Sequence, residues 1–382
     1  MQGLAKQGSA TEELVPLYAL LQCTGISTIT CFKLAEYLGC KLVEIPSQSI
    51  ANLLSAGLTR AQIDQLRADY TQPIERLLAW QAQANEIPRH IILFTDEHYP
   101  NNLLQVSDRP LLLFAEGNIE LLACHQIAIV GAKRASEIGK RHAHDFAQQL
   151  ALRHWVVTSG LAQGIDAQAH RGALHARGGT IAVLGHGHQH MYPKHHRVLR
   201  DEILKANGCV LSEFLPHQPP KPLNFPKRNR IISGLSMGTF VVEAQHKSGS
   251  LITANQALNE NRTVFAMPGR IDDPNVSGCH ALIKQGALLV DHVDDIDLYF
   301  TELEKPNSCP ISRTNNKYSQ ENLSHSDLLD SVGFEITAID TIAAHSNLPL
   351  PQLLAKLLEY ELRGKVAAVS GGYIKLRGEN YV

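Results

Sequence analysis

The chain has no long apolar run, no CxxC pair, no excess of either charge and no paired-glycine phosphate motif, and each absence narrows what it can be. No stretch approaches the ~20 apolar residues of a membrane-spanning helix. The opening MQGLAKQGSATEEL lacks the apolar core of a signal peptide, so a soluble, cytoplasmic protein with no membrane partner is expected. The seven cysteines are odd in number and unpaired by spacing, which suits a reducing compartment. With 35 Lys+Arg against 37 Asp+Glu the net charge is −2, so any polyanion must be met by a local patch. Lack of GxGxxG argues against an NAD or FAD site, and lack of GxSxG against a serine nucleophile.

A hydrophobic share of 44% over 382 residues predicts two or three domains with well-filled cores. LVPLYALLQC, ITCFKLAEYLG and RAQIDQLRADY carry apolar residues at helical spacing, with breaks at Gly25, Gly39 and Gly57. They predict an N-terminal helical domain over 1–82, of SAM or helix-hairpin-helix-like type, with a structural or partner-binding use favoured over DNA contact. IILF and LLLFAEG read as strands that pad the edge of the next domain. From His125 onward the β-branched runs IAIVG, WVVTSG, TIAVLG, CVLSEF, TFVVEA and TVFAMPG mostly alternate with helical segments. Strands this apolar are covered on both faces, which predicts a largely parallel, doubly wound α/β sheet over 83–302. Residues 303–325 lose periodicity and gain Pro, Ser and Asn, as a linker does. Residues 326–382 read as three helices and a hairpin at Ser370-Gly371-Gly372, a winged-helix domain. Its last helix is apolar and acidic, which favours protein over DNA contact.

The unusual residues gather at the carboxyl ends of the strands, where open α/β sheets bind ligands. The central stretch is FPKRNRIISGLS: with Lys221 just upstream, four cations fall within the ten residues 221–230 (Lys221, Lys227, Arg228, Arg230), and the run then enters an apolar core. A helix starting there, with the cations on its first turn, would hold a phosphate between free backbone N–H groups and forked guanidiniums, with Asn229 beside them. A solvated, salt-bridged helix start is the plain alternative. IAIVGAKRASEIGKR adds Gly131 at a tight turn, Lys133 and Arg134, and Ser136 as a helix cap. Ser159 and Gly160 in SGLAQGIDAQAH suggest a glycine-lined phosphate cradle. LGHGHQHMYPKHHRVLR reads as a basic, flexible loop contributing Lys194 and Arg197, with Tyr192 or Phe225 placed to stack on a base. Its histidines lack a carboxylate or cysteine at ligand spacing, so no metal is expected. SGSLITANQAL offers Ser248, Ser250 and Thr253 as a second anion nest, and two nests on neighbouring strand ends suit successive phosphates of one strand.

Between residues 130 and 290 the succession VGAKRASEIG, SGLAQGID, IAVLGHG, FPKRNRIISGLS, VVEA, SGSLITA, MPG and SGCHALIKQGALLV resembles the DNA-processing protein A family (DprA, also called Smf). Tyr99-Pro100, Asp108 and Pro110 resemble its lead-in. The resemblance implies an extended Rossmann-like fold and a non-enzymatic protein, without cofactor, that binds incoming single-stranded DNA in natural transformation, protects it and helps load the RecA recombinase, acting as a homodimer. It also implies a DNA pocket of Lys133, Ser159, Gly160, Lys194, Arg197, Arg228, Asn229 and Arg230. Where the family usually has Ser-Arg this chain has Ala132-Lys133, which loses a guanidinium fork unless Arg134 supplies it. The alternative is an enzyme like the Rossmann nucleotide phosphoribohydrolases, which carry PGGxGTxxE. Here GLSMGTFVVEA has no paired glycine and sets Glu243 one residue too far from Thr239.

Overall fold

The computed structural model describes residues 2–83 and 86–301 and, beyond them, 337, 339, 342–343, 350–362, 366–369 and 372–375. These belong to two compact units, within 1–311 and 312–382. The linker expected at 303–325 and the helix expected at 326–333 lie outside the described residues.

The strands of the larger unit are β1 (Arg89–Leu93), β2 (Leu112–Gly117), β3 (Gln126–Val130), β4 (Val156–Ser159), β5 (Thr180–Val183), β6 (Cys209–Ser212), β7 (Gly238–Val241), β8 (Thr263–Ala266) and β9 (Leu288–Leu289). They form one sheet in the order 1-2-6-5-4-3-7-8-9. β3 to β9 run parallel, while β1 and β2 join the edge antiparallel. The chain winds outward from β3 through β4, β5 and β6, then returns to β7 on the other side of β3. The order therefore reverses between β3 and β7.

Alternation along each strand feeds two cores. Ile127 and Ile129 of β3, Phe240 of β7 and Phe265 of β8 face α7 (Glu137–Leu152) and α8 (Ile165–His175) on one side. Ala128, Val130, Val241 and Val264 face the other side with Ile231, Ile232 and Leu235 of α10 (Asn224–Leu235) and Ala254 and Ala257 of α11 (Gly249–Asn259). Between α8 and α10, α9 (Arg197–Lys205) covers β5 and β6 through Leu199 and Ile203.

The N-terminal helices include α1 (Gln2–Gln22), α2 (Thr28–Leu38), α3 (Ile50–Ser55), α4 (Arg60–Leu66) and α5 (Thr71–Ala82), and the one-turn α6 (Asn101–Leu104) follows β1. Leu17, Leu53, Ile63 and Trp80 pack on Leu112 and Phe114 of β2, so the helical bundle and the sheet edge share one core. Glu116 is the acid in the buried run LLLFAEG, where it meets Arg89 (3.1 Å), Arg200 and the buried His188 (3.3 Å). Burial alone would raise its pKa, but His188, Arg200 and Arg89 outweigh that and hold it at about 2. In the smaller unit Leu353, Leu357 and Tyr360 of a helix over Leu350–Leu362 pack with Ile342 and Val366. Val366–Val369 pairs antiparallel with Gly372–Lys375. No described helix is long and apolar enough to cross a membrane.

Candidate functional site

α10 begins at Asn224, so Lys227 stands at the end of the first turn while Arg228 and Arg230 follow beyond it. Pro226 suits that first turn because it has no N–H to lose. The amides of Asn224 and Phe225 already donate to the Lys221 and Pro222 carbonyls, at 3.0 and 3.4 Å. At these three residues the helix start offers an anion no free N–H, contrary to the expectation from sequence. Any anion affinity must come from side chains.

Those side chains divide into two sets. Arg228 is 4% exposed and its Nη1 donates to the Val183 carbonyl at the end of β5, at 2.8 Å. It lies so flat against Gly160 that a Cβ there would fall 1.7 Å from Nη1. Buried Asp166, which accepts the Gly160 N–H at 3.1 Å, supplies the nearby countercharge. Burial pushes the Arg228 pKa down and Asp166 opposes it; burial likewise pushes Asp166 up against Arg228. Arg230, equally buried, pairs with Glu213 and, at 3.1 Å, with Asp108. Lys227 is different: its side chain is 48% exposed and its Nζ stands 3.7 Å from Glu213. Asn229 is half-buried between them.

Donors of the neighbouring loops, side-chain and backbone, also turn inward. The Ser159 hydroxyl donates to the Ile129 carbonyl at 2.6 Å, and Gly160 is committed to Asp166. Gly164 enters α8 with φ +86, where a Cβ would lie 2.2 Å from the Ala132 carbonyl, so this turn and that of Gly131 to Lys133 interlock. Ser248 caps α11 by accepting from Ser250 N–H at 3.4 Å, and the side chains of Ser250 and Thr253 are buried. The loops after β4 and β7 are not neighbours, because β3 stands between them. The two turns therefore do not lie side by side, and only the first is closely packed: Gly249 of the second is exposed, with open space where a Cβ would stand.

At the switch point itself, the start of α7 is already occupied by an anion of the protein. Glu243, just past β7, accepts from Ser136 N–H at 3.0 Å and from the Ser136 hydroxyl at 2.6 Å. It lies against Gly139, where a Cβ would come within 2.2 Å of Oε2. Glu243 thus braces the helix start and, among the described residues, pairs with no arginine, whereas Glu213 does pair with Arg230. A phosphate at this helix terminus would meet a carboxylate.

The histidine-rich loop is likewise packed and not the flexible arm its composition suggested. His188 Nε2 donates to the Phe114 carbonyl (2.9 Å), and His186 and His196 are buried with Nδ1 atoms on the Gly187 and Leu161 carbonyls. Burial lowers the pKa of both His186 and His196. Among the described residues no group of three or more His, Cys, Asp or Glu is gathered to hold a metal ion.

What faces outward is a rim of cations around an aromatic step. The Tyr192 and Phe225 rings lie 5.3 Å apart, and Lys133 Nζ stands 5.7 Å from the Phe225 centroid. Phe225 in turn packs over Gly185, where a Cβ would come within 2.8 Å of the ring. Lys133, Arg134, Tyr192, Lys194, Arg197, Lys221 and Lys227 are all exposed. Sequence reasoning located these cations but missed the Glu116 cluster, for which an acid inside a buried apolar run was the available signal.

Comparison with known proteins agrees with this architecture. Residues 90–300 match the family model for DNA recombination-mediator protein A, and residues 317–372 match that of the DprA winged helix domain. Protein Smf of Escherichia coli is 42% identical over 327 residues, 85% of this chain and 87% of that protein. The X-ray structure of DNA processing protein A from Streptococcus pneumoniae superposes with TM-score 0.63 at 34% identity, covering 75% of this chain and 97% of that one. DNA processing protein A from Helicobacter pylori, whose structure concerns its single-stranded DNA binding mode, does so with TM-score 0.51 at 26% identity over 57% of this chain and 97% of that one.

Proposed function

The chain belongs to the DNA recombination-mediator protein A family, also known as DprA or Smf, and from that membership we propose that it binds single-stranded DNA along the basic rim at the carboxyl ends of β3 to β6. The observation that carries this reading is the placement of Lys133 beside Phe225 and Tyr192, a charge for a phosphate next to faces for a base. Lys133, Arg134, Lys194, Arg197 and Lys227 meet phosphates, and Phe225 with Tyr192 stacks on bases. Gly131, Ser159, Gly160, Arg228, Arg230, Ser250 and Thr253 form the frame that holds them, with Asn229 and Ser248 at its margin. Lys133, facing Phe225, takes the place of the family arginine.

The protein acts in the cytoplasm without catalysis. It protects strands taken up in natural transformation and passes them to the RecA recombinase as a homodimer. Its relation to the Helicobacter pylori protein supports the single-strand preference. The engagement of Glu243 with Ser136 argues against the phosphoribohydrolase reading, which needs that carboxylate free for chemistry. Removing two rim cations together, Lys133→Ala with Lys227→Ala, tests the assignment: the slope of log affinity for an oligonucleotide against log salt should fall by about 1.4. An unchanged slope would place the phosphates elsewhere.

A further inference from the structure

The rim and the N-terminal bundle are joined by a continuous line of polar contacts. It starts at exposed Lys227, whose Nζ is 3.7 Å from Glu213, and passes from Glu213 to the Arg230 guanidinium. Arg230 Nε meets Asp108 Oδ2 at 3.1 Å, as an ion pair and not an aligned hydrogen bond. The other oxygen of Asp108 accepts from the hydroxyl of Thr28, the first residue of α2 and itself buried. A second grip lies one turn along the same helix, where the Arg109 guanidinium sits 3.7 Å over the Phe32 ring. Two residues on one face of α2 thus hold the 108–109 pair. Through Asp108 that hold reaches a buried arginine in the middle of α10.

Arg230 is fixed between two carboxylates that arrive from opposite parts of the fold: Glu213 from the end of β6, and Asp108 from the segment that α2 clasps. Loss of either would let Arg230, and with it α10, settle toward the other. Phe225 and Lys227 ride on that helix. We propose that Asp108 is a positioning residue through which the first turn of α2 sets the single-stranded DNA affinity of the rim. The proposal rests on the functional reading above and gives the N-terminal bundle a part in DNA binding without itself touching DNA.

Simple electrostatics makes the opposite forecast, which gives the test its edge. Asp108→Asn removes a negative charge near a polyanion site and by charge alone would tighten binding. Positioning predicts roughly fivefold weaker binding instead, within the range expected for coupling inside one ion-pair network. Thr28→Val changes no charge and should weaken binding by a similar factor, with the double variant no worse than the stronger single one. Hydrogen exchange of the α10 amides should quicken in both single variants, and Asp108→Glu should restore part of the loss. Tighter or unchanged binding of a fluorescent oligo-dT, or additive losses, would overturn the proposal even if exchange quickened. Should the full-length wild type itself bind no oligo-dT, the functional reading fails, and α10 exchange in Thr28→Val then decides the link alone. Unchanged exchange would end it. If Thr28→Val does not fold, Asp108→Asn carries the same readouts.

Discussion

Replacing Arg228 with alanine separates the two roles an arginine in this stretch can have. A phosphate ligand would be lost from the surface at little cost to the fold, because surface substitutions usually stay within about 0.5 kcal/mol. Arg228 is instead a strut: it holds the Val183 carbonyl at 2.8 Å, fills the space over Gly160 and balances buried Asp166. Its removal takes away a charge-assisted hydrogen bond, opens a cavity and strands an acid whose pKa burial already raises. Losing a buried charge-assisted hydrogen bond and leaving a cavity together cost about 3–5 kcal/mol. With a urea m-value near 3 kcal/mol/M, that lowers the unfolding midpoint by about 1–2 M. Urea titration followed by circular dichroism measures the shift directly. Arg228→Ala with a wild-type midpoint and no DNA binding would refute the strut and make Arg228 a direct DNA contact.

Two further outcomes follow from the geometry. Phe225→Ala, which keeps every rim cation, should weaken single-stranded binding by about 1–3 kcal/mol, the range for lost base stacking, and leave the salt slope unchanged in anisotropy titrations. Glu116 has its folded-state pKa depressed from an ordinary 4.5 to about 2, so the stability it contributes is fully present above pH 4.5 and is lost as pH falls through about 2. That contribution is on the order of 3 kcal/mol, and thermal melts of Glu116→Gln should show a correspondingly flatter acid limb.

Much of the sheet was legible because its strands are apolar on both sides, a pattern that IAIVG or TFVVEA cannot satisfy anywhere but the middle of a sheet. β9 escaped notice because two residues carry no periodicity. The cations of the site were equally plain, but their directions were not. Whether Arg228 points out or in depends on α10 starting at Asn224 and on the absence of a side chain at Gly160, far away in sequence. The histidine loop misled for the same reason. His188 is fixed by Phe114, 74 residues earlier, and composition alone describes such a loop as basic and free. The spacing from Thr239 already spoke against Glu243 as a catalytic acid, but only the fold shows Ser136, 107 residues earlier, as the group that holds it.

On this reading the outward rim is the binding surface for single-stranded DNA. Fluorescence anisotropy of one labelled oligonucleotide, single-stranded and then annealed to its complement, titrated with the full-length protein at several salt concentrations, tests it most directly. The structure predicts salt-sensitive binding that favours the single strand, since only unpaired bases can reach the Tyr192 and Phe225 faces. Equal affinity for the duplex, or no binding at low salt, would contradict it.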